Sequence, residues 1–314
     1  MAYTNTDTNM TTSSALSAGM QTYYNRELLR TFEPNLVHLQ FGDEHRMPPH
    51  SGLVMNMRKL IPLETNTKAL SEGDPGESVM LAETEVTVQL QQYGEYARCT
   101  DKLDLTHLDM DIMRRTKLFG DAGARSIDAV VREELAKCAN VIYAGGKASR
   151  AELTAADKLT SRELRKAVKT LKKNHAQTFG GYYVAIIGPD TMYDLQEDEA
   201  FVKVSQYQDK ENIYTGEVGR LFGVRLVETT EAKIFEGVGA SGADVASVIV
   251  LGQYAYGVTS LKGAKPRVIV KPAGSAGTAD PLDQISTVGW KMDGFGAKLL
   301  QPEYAVRIEC GFSA

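Results

Sequence analysis

Cysteine is scarce in this chain: Cys99, Cys138 and Cys310 are the only three in 314 residues. An odd number of dispersed cysteines with no C-x-x-C excludes a disulfide framework and gives no zinc-ligand spacing, which fits a reducing compartment. Tryptophan occurs once, at Trp290, and reads as a packed anchor rather than a platform for stacked bases. A basic surplus is also missing. The net charge of -5 argues against a dedicated nucleic-acid binder, which would present a basic balance or stripe. Arg162, Arg165, Lys166, Lys169, Lys172 and Lys173 do cluster, but within one helical segment whose outer face they solvate. No basic leader precedes an apolar stretch, and no apolar run approaches about 18 residues. A cytosolic chain, neither secreted nor membrane-spanning, is the expectation.

Catalytic motifs are missing too. No G-x-S-x-G nucleophile turn is present. The stretch GEVGRLFGVRLVETTEA, residues 216 to 232, has the glycines Gly216, Gly219 and Gly223, yet no Lys-Ser/Thr and no helix follow, as a phosphate-binding loop requires. Val224 to Glu228 alternates instead, so the glycines read as backbone devices where a turn enters a strand. A Rossmann fingerprint fails because its glycines open a helix. Asp101, Asp104, His107, Asp109 and Asp111 are metal-ligand types, but Asp109 or Asp111 is a natural N-cap for the helix that follows, and capping plus solvation is the simpler reading. His45 and His50, with Asp43 and Glu44, flank Pro48-Pro49, which fixes an extended chain and precludes an i, i+4 pair. No metal and no cofactor is expected.

What is present is an ordinary globular composition, 43% hydrophobic and 24% charged, long enough for one elaborated domain or two smaller ones. A Thr/Asn/Ser-rich arm at 1 to 14 precedes a helical apolar spacing from Leu16 to Phe32. Leu53, Met55 and Met57 alternate, as do Val86, Val88 and Leu90, predicting a long hairpin over 46 to 92. Its distal part has Lys68, Glu72, Asp74 and Glu77 but little to bury, so it is expected to lean on something outside its own domain. Residues 109 to 139 predict one overlong helix of about 46 Å, bent or interrupted at Gly120 or Gly123. Thr160-Ser161-Arg162-Glu163 has the capping-box form, opening a helix with Leu164, Ala167, Val168, Leu171 and His175 inward. GGYYVAIIGPD reads as a buried strand and a short helix, ASVIVLG and RVIVKP as strands, and GWKMDGFGAKLL with YAVRIEC as a terminal strand pair. No repeat of fixed period is found.

Several strings, in order, resemble the major capsid proteins of tailed bacteriophages, in particular a podovirus-type family: LSEG (70 to 73), QYGEYARCTDKLDLT (92 to 106), ANVIYAGG (139 to 146), GGYYVAIIGPD (180 to 190), GEVGRLFGVRLVET (216 to 229) and VGWKMDGFGAKLL (288 to 300). The resemblance covers about residues 16 to 312. It implies an α+β chain with the capsid fold shared with herpesvirus shells: an N-terminal arm and short helix at 1–33, an extended hairpin loop region at 34–92, a peripheral domain with a spine helix at 93–142, an axial domain at 143–289, and C-terminal strands at 290–314 returning to the peripheral domain. It implies a non-enzymatic subunit of an icosahedral shell around a double-stranded DNA genome, built in the host cytoplasm. Its partners would be further copies in hexamers and pentamers, a separate scaffolding protein, a portal, packaged DNA by non-specific proximity and a decoration protein, with no membrane. Lys68, Glu72, Asp74 and Glu77 at the hairpin tip would touch the neighbouring subunit. A cellular nanocompartment shell and an α/β enzyme are the alternatives.

Overall fold

The structure, a computed structural model, describes residues 36–48, 50–60, 83–102, 112–198, 220–261, 265–275 and 280–313, with isolated positions 26, 28, 67, 69, 73 and 201. Two large sheets and one long helix organise them. The first sheet joins β1 (Asp43–Met47), β4 (Gln91–Thr100), β11 (Tyr256–Leu261), β12 (Arg267–Lys271) and β13 (Ile285–Leu299). The second joins β5 (Val141–Tyr143), β6 (Tyr183–Ile187), β7 (Arg220–Leu221), β8 (Val224–Glu228), β9 (Ile234–Phe235), β10 (Val245–Leu251) and β14 (Ala305–Cys310), in the order β5-β14-β10-β6-β8-β7 with β9 also on β10. The hairpin β2 (Val54–Leu60) and β3 (Glu83–Gln89) forms a two-stranded sheet of its own.

The helix α1 (Ile112–Leu135) has 24 residues and so runs about 36 Å. It ends short of the 109 to 139 span, and it continues through Gly120 and Gly123 without a break. Both glycines are buried on the stripe that also holds Thr116, Ala124, Ile127, Asp128, Val131 and Leu135. Packing of that stripe on both sheets holds the helix together where glycine alone would weaken it. Ala139 is exposed beyond the helix end and Ile142 belongs to β5.

Three cores follow. One lies under α2 (Ser161–Lys173) and α3 (Pro189–Gln196) on one face of the second sheet, around Leu164, Leu171, Leu195, Tyr183 and Val250. Another joins α1 to both sheets through Ile127, Val131, Ile186, Ile249, Trp290 and Phe295. Because helices cover both faces of the second sheet, β6 and β10 are buried at every position, the pattern of a doubly covered sheet. The third, small core is Met57, Val88 and Leu300 at the hairpin root. Of the helix expected over Leu16 to Phe32, Arg26 and Leu28 are described; both are helical, and Leu28 is fully buried in the second core.

Two local expectations need correction. His175 points outward, because the chain leaves α2 through a left-handed residue (φ 55° at His175) that turns Ala176 inward instead. The last two strands do not pair with each other. β13 is hydrogen-bonded by β4 along one edge and by β11 and β12 along the other, so β14 crosses to the second sheet and pairs with β10 and β5.

Candidate assembly surfaces

The hairpin pairs Met55 with Val88 and Met57 with Val86, so its apolar side chains share one face. Leu300 packs on that face, and Lys59 Nζ lies 2.8 Å from Glu303 Oε2, fixing the root to the chain's own C-terminal region. The outer face is polar, with Thr87 Oγ1 donating to Asn56 Oδ1 at 3.1 Å. Lys68, Glu72, Asp74 and Glu77 lie outside the described residues, as do Gly216 and Gly219. Gly223 (φ 80°) follows Phe222 (φ 50°) as the two-residue link between antiparallel β7 and β8. Two consecutive positive φ angles define a type I′ hairpin turn, which suits glycine at the second position. A strand follows it, with no helix N-terminus to receive a phosphate.

A second surface is the bare face of β4, β13 and β12. The opposite face carries Trp290 and Met292 into the core beneath α1. On the bare side, registered neighbours form rows across the sheet: Arg98, Thr287 and Lys271 in one, Tyr96, Gly289 and Ile269 in the next, Gly94, Lys291 and Arg267 in a third. All of these except Arg267 line a groove of about 680 Å³. Its floor needs a glycine, since a Cβ on Gly289 would sit 2.5 Å from the Glu95 carbonyl oxygen and 2.7 Å from Tyr96 Cβ. Tyr96 is 60% exposed and Ile269 37%. Arg98 donates to the Tyr96 hydroxyl at 3.2 Å and sits 5.7 Å from the ring centroid. Lys291 and Arg267 are paired with Asp293, at 2.8 and 3.1 Å. Nothing in the sequence pattern of one strand announces this groove, because its rows join segments far apart in the chain.

Buried ionisable groups brace one element against another. Asp128 on α1 accepts from the His38 backbone N–H at 2.7 Å, pairs with His38 Nδ1 at 2.5 Å and accepts from Leu39 N–H at 3.3 Å. The Tyr256 hydroxyl donates to the His38 carbonyl, and burial pushes its pKa far up. Glu309 receives both arms of Arg150, at 2.6 and 2.7 Å, and the guanidinium stacks 3.7 Å over the Phe235 ring centroid. Burial pushes the Asp194 carboxyl up, but Lys158 Nζ at 2.8 Å and the Ser313 backbone N–H and hydroxyl outweigh it and hold it below the ordinary carboxylate range. Asp198 accepts from the Ser161 N–H at 2.7 Å and so caps α2, while Thr160 Oγ1 turns to Glu163 in place of the expected capping box. Asp43 and His45 form a partly exposed pair at 3.1 Å. Among the described residues no cluster of three or more His, Cys, Asp or Glu side chains could hold a metal, and no helix is long and apolar enough to cross a membrane. Of the aspartate and histidine set at 101 to 111, only Asp101 is described.

Among curated proteins none is a significant sequence match. Solved structures with the same fold include the capsid of Ralstonia phage GP4, 15% identical over 100% of this chain and 98% of that one with a TM-score of 0.69. The capsid of cyanophage P-SCSP1u is 16% identical over 88% and 89%, with a TM-score of 0.66. A virus-like particle from Pyrococcus furiosus is 12% identical over 92% and 99%, with a TM-score of 0.55. The family model for phage capsid proteins matches residues 83–308, which takes in α1, α2, α3 and both sheets except β1 and the last two residues of β14. A shell subunit needs surfaces for its neighbours rather than a reacting centre, and with that match the chain belongs to the phage capsid protein family, as a tailed-phage major capsid protein of the icosahedral shell.

Proposed function

We propose that this capsid subunit is non-enzymatic and assembles into hexamers and pentamers around a double-stranded DNA genome in the host bacterial cytoplasm. The observation that carries the reading is the family match over residues 83–308. The hairpin supports it, because β2 and β3 pair only with each other among the described residues and lead into a charged connection with little to bury. An element that cannot form its own core is stabilised by what it touches. In this reading the hairpin reaches a neighbouring subunit, and Lys68, Glu72, Asp74 and Glu77 meet opposite charges there.

We assign the first sheet and α1 to a peripheral domain and the second sheet with α2 and α3 to an axial domain at the capsomer centre. Strands β11 and β12 pair with β13, so the axial domain is drawn shorter at its C-terminal end than residues 143–289. The 1–33 arm, a separate scaffolding protein, a portal and a decoration protein complete the assembly, and DNA lies against the shell without sequence readout. Gly216, Gly219 and Gly223 serve as turn residues only. Likeness to the virus-like particle from Pyrococcus furiosus keeps a cellular compartment shell as the second reading. Size-exclusion chromatography and analysis of particle contents separate the cases. Large particles with packaged viral DNA support the proposal; particles holding an enzyme cargo support the second reading, and a monomeric chain refutes both.

A further inference from the structure

We propose that the outer face of α2 is where the shell meets the phosphate backbone of the packaged double-stranded DNA, so that this helix turns toward the shell interior. The inference rests on the shell reading and assigns the DNA a contact surface. At 3.6 residues per turn, Arg162, Arg165, Lys166, Lys169, Lys172 and Lys173 fall within one arc of about 120°, and no other residue of the helix shares that arc. Leu164, Ala167, Val168 and Leu171 lie opposite, buried in the core on the second sheet. Lys166 reaches the Glu163 carboxylate at 3.7 Å. Arg162, Arg165, Lys169, Lys172 and Lys173 are exposed and form no ion pair among the described residues.

Solvation alone does not account for this face. A soluble helix ordinarily mixes signs on its outer side, because like charges three or four positions apart repel. Here Arg162 neighbours Arg165 and Lys166, and Lys169 neighbours Arg165, Lys166, Lys172 and Lys173, with no acid among them on the arc. The helix dipole favours Lys172 and Lys173 in the last turn but opposes Arg162 in the first. Arg165 is also held in place. Its Nε donates to the Ser161 carbonyl at 3.4 Å, and its guanidinium lies 4.8 Å from the ring centroid of Phe222 in the β7–β8 turn.

The chemistry of the face selects its partner. A protein docked there would need a desolvated core, yet protein interfaces are depleted in Lys and anchored by apolar or aromatic groups. The arc has no apolar side chain. Phosphate contacts ask only for cations, and they supply most of the affinity of sequence-independent DNA binding. From Arg162 to Lys173 the stripe runs about 16 Å, alongside which a duplex carries about ten phosphates. No aromatic or amide side chain stands on the arc to read a base, so the contact is independent of sequence. The net charge of -5 makes the rest of the surface repel a duplex on balance and confines the contact to this face.

Duplex binding tests this. The full-length chain, kept unassembled, is titrated against a fluorescent duplex of about 20 base pairs and read by anisotropy between about 50 and 200 mM salt. A chain carrying Arg162→Gln, Lys169→Gln, Lys172→Gln and Lys173→Gln, with an unchanged circular dichroism spectrum, is expected to bind at least 10-fold more weakly at the lower salt. Its plot of log K against log salt is expected to flatten by about 3–4, since each phosphate contact contributes about 0.9 to the slope. If the four substitutions disturb folding, Lys169→Gln with Lys172→Gln replaces them and is expected to weaken binding at least 3-fold. Closed particles of the unaltered chain are expected to leave duplex added from outside unbound. Equal affinity in the folded variant, or no saturable binding by the unaltered chain, would overturn the inference. Displacement of the duplex by poly-glutamate at equal charge would also overturn it, by making an acidic protein as good an occupant. Closed particles that bind added duplex through this face would place the helix outside and overturn it as well. Failure of the unaltered chain to form particles at all would instead overturn the shell reading.

Discussion

Removing the Asp128 carboxylate should be the most damaging single truncation on α1. In Asp128→Ala the His38 and Leu39 backbone N–H groups and the His38 imidazole lose their acceptor, while Asp128 itself is 0% exposed and His38 1%, so water cannot replace it without opening the core. Each buried group left unsatisfied costs about 1–3 kcal/mol, and breaking one side of a buried pair costs about 3–5 kcal/mol in total. Unfolding entropy of about 2.1 cal/mol/K per residue gives about 0.66 kcal/mol/K for 314 residues. The loss therefore corresponds to a fall of about 5–8 °C in melting temperature. Calorimetry of the unassembled subunit measures it, with the exposed Arg125→Ala on the same helix as a control expected to stay within about 1 °C. Asp128→Asn, which keeps one acceptor oxygen, should fall between the two. A drop below about 2 °C in Asp128→Ala would refute the view that this pair holds residues 36–42 against α1.

Two further perturbations test the framework. Asp194 has its folded pKa held below the unfolded value, so the unfolded chain takes up the proton first as pH falls. The stability it contributes is present above about pH 4 and is lost as pH falls further. Asp194→Asn should melt below the unaltered chain at pH 7, with the gap narrowing as pH falls below about 4; a gap independent of pH would contradict the assignment. Gly289→Ala should separate β4 from β13, because its Cβ would meet backbone rather than a movable side chain. Hydrogen exchange in residues 91–100 should rise at least 10-fold in that variant, and unchanged protection would show that the strands can shift to admit a methyl group.

Much of this fold was legible because burial imposes periods on the sequence. The helical spacing of Leu164, Ala167, Val168 and Leu171 and the apolar run of β10, broken only by Ser247, correspond to α2 and to a strand covered on both faces. The alternation of Met55, Met57, Val86 and Val88 likewise anticipated the hairpin, whose register the structure supplies. What was not legible depends on partners distant in sequence. β4 is exposed at eight of its ten positions and owes its strand geometry to β13, nearly two hundred residues on. The terminal strands look like a pair locally, but β13 has no free edge to offer β14. The Asp198 cap on α2 and the groove rows are likewise products of tertiary pairing, which no local pattern encodes. The hairpin-tip charges were visible as a composition that cannot bury itself, whereas the groove on β4, β13 and β12 became visible only once three strands stood side by side.

Electron microscopy of the purified full-length chain, expressed alone and with a scaffolding protein, tests the central claim most directly. Closed shells of uniform diameter, built from hexameric and pentameric rings, are the predicted result. A chain that stays monomeric and folded at concentrations up to the millimolar range, with or without scaffold, would contradict it.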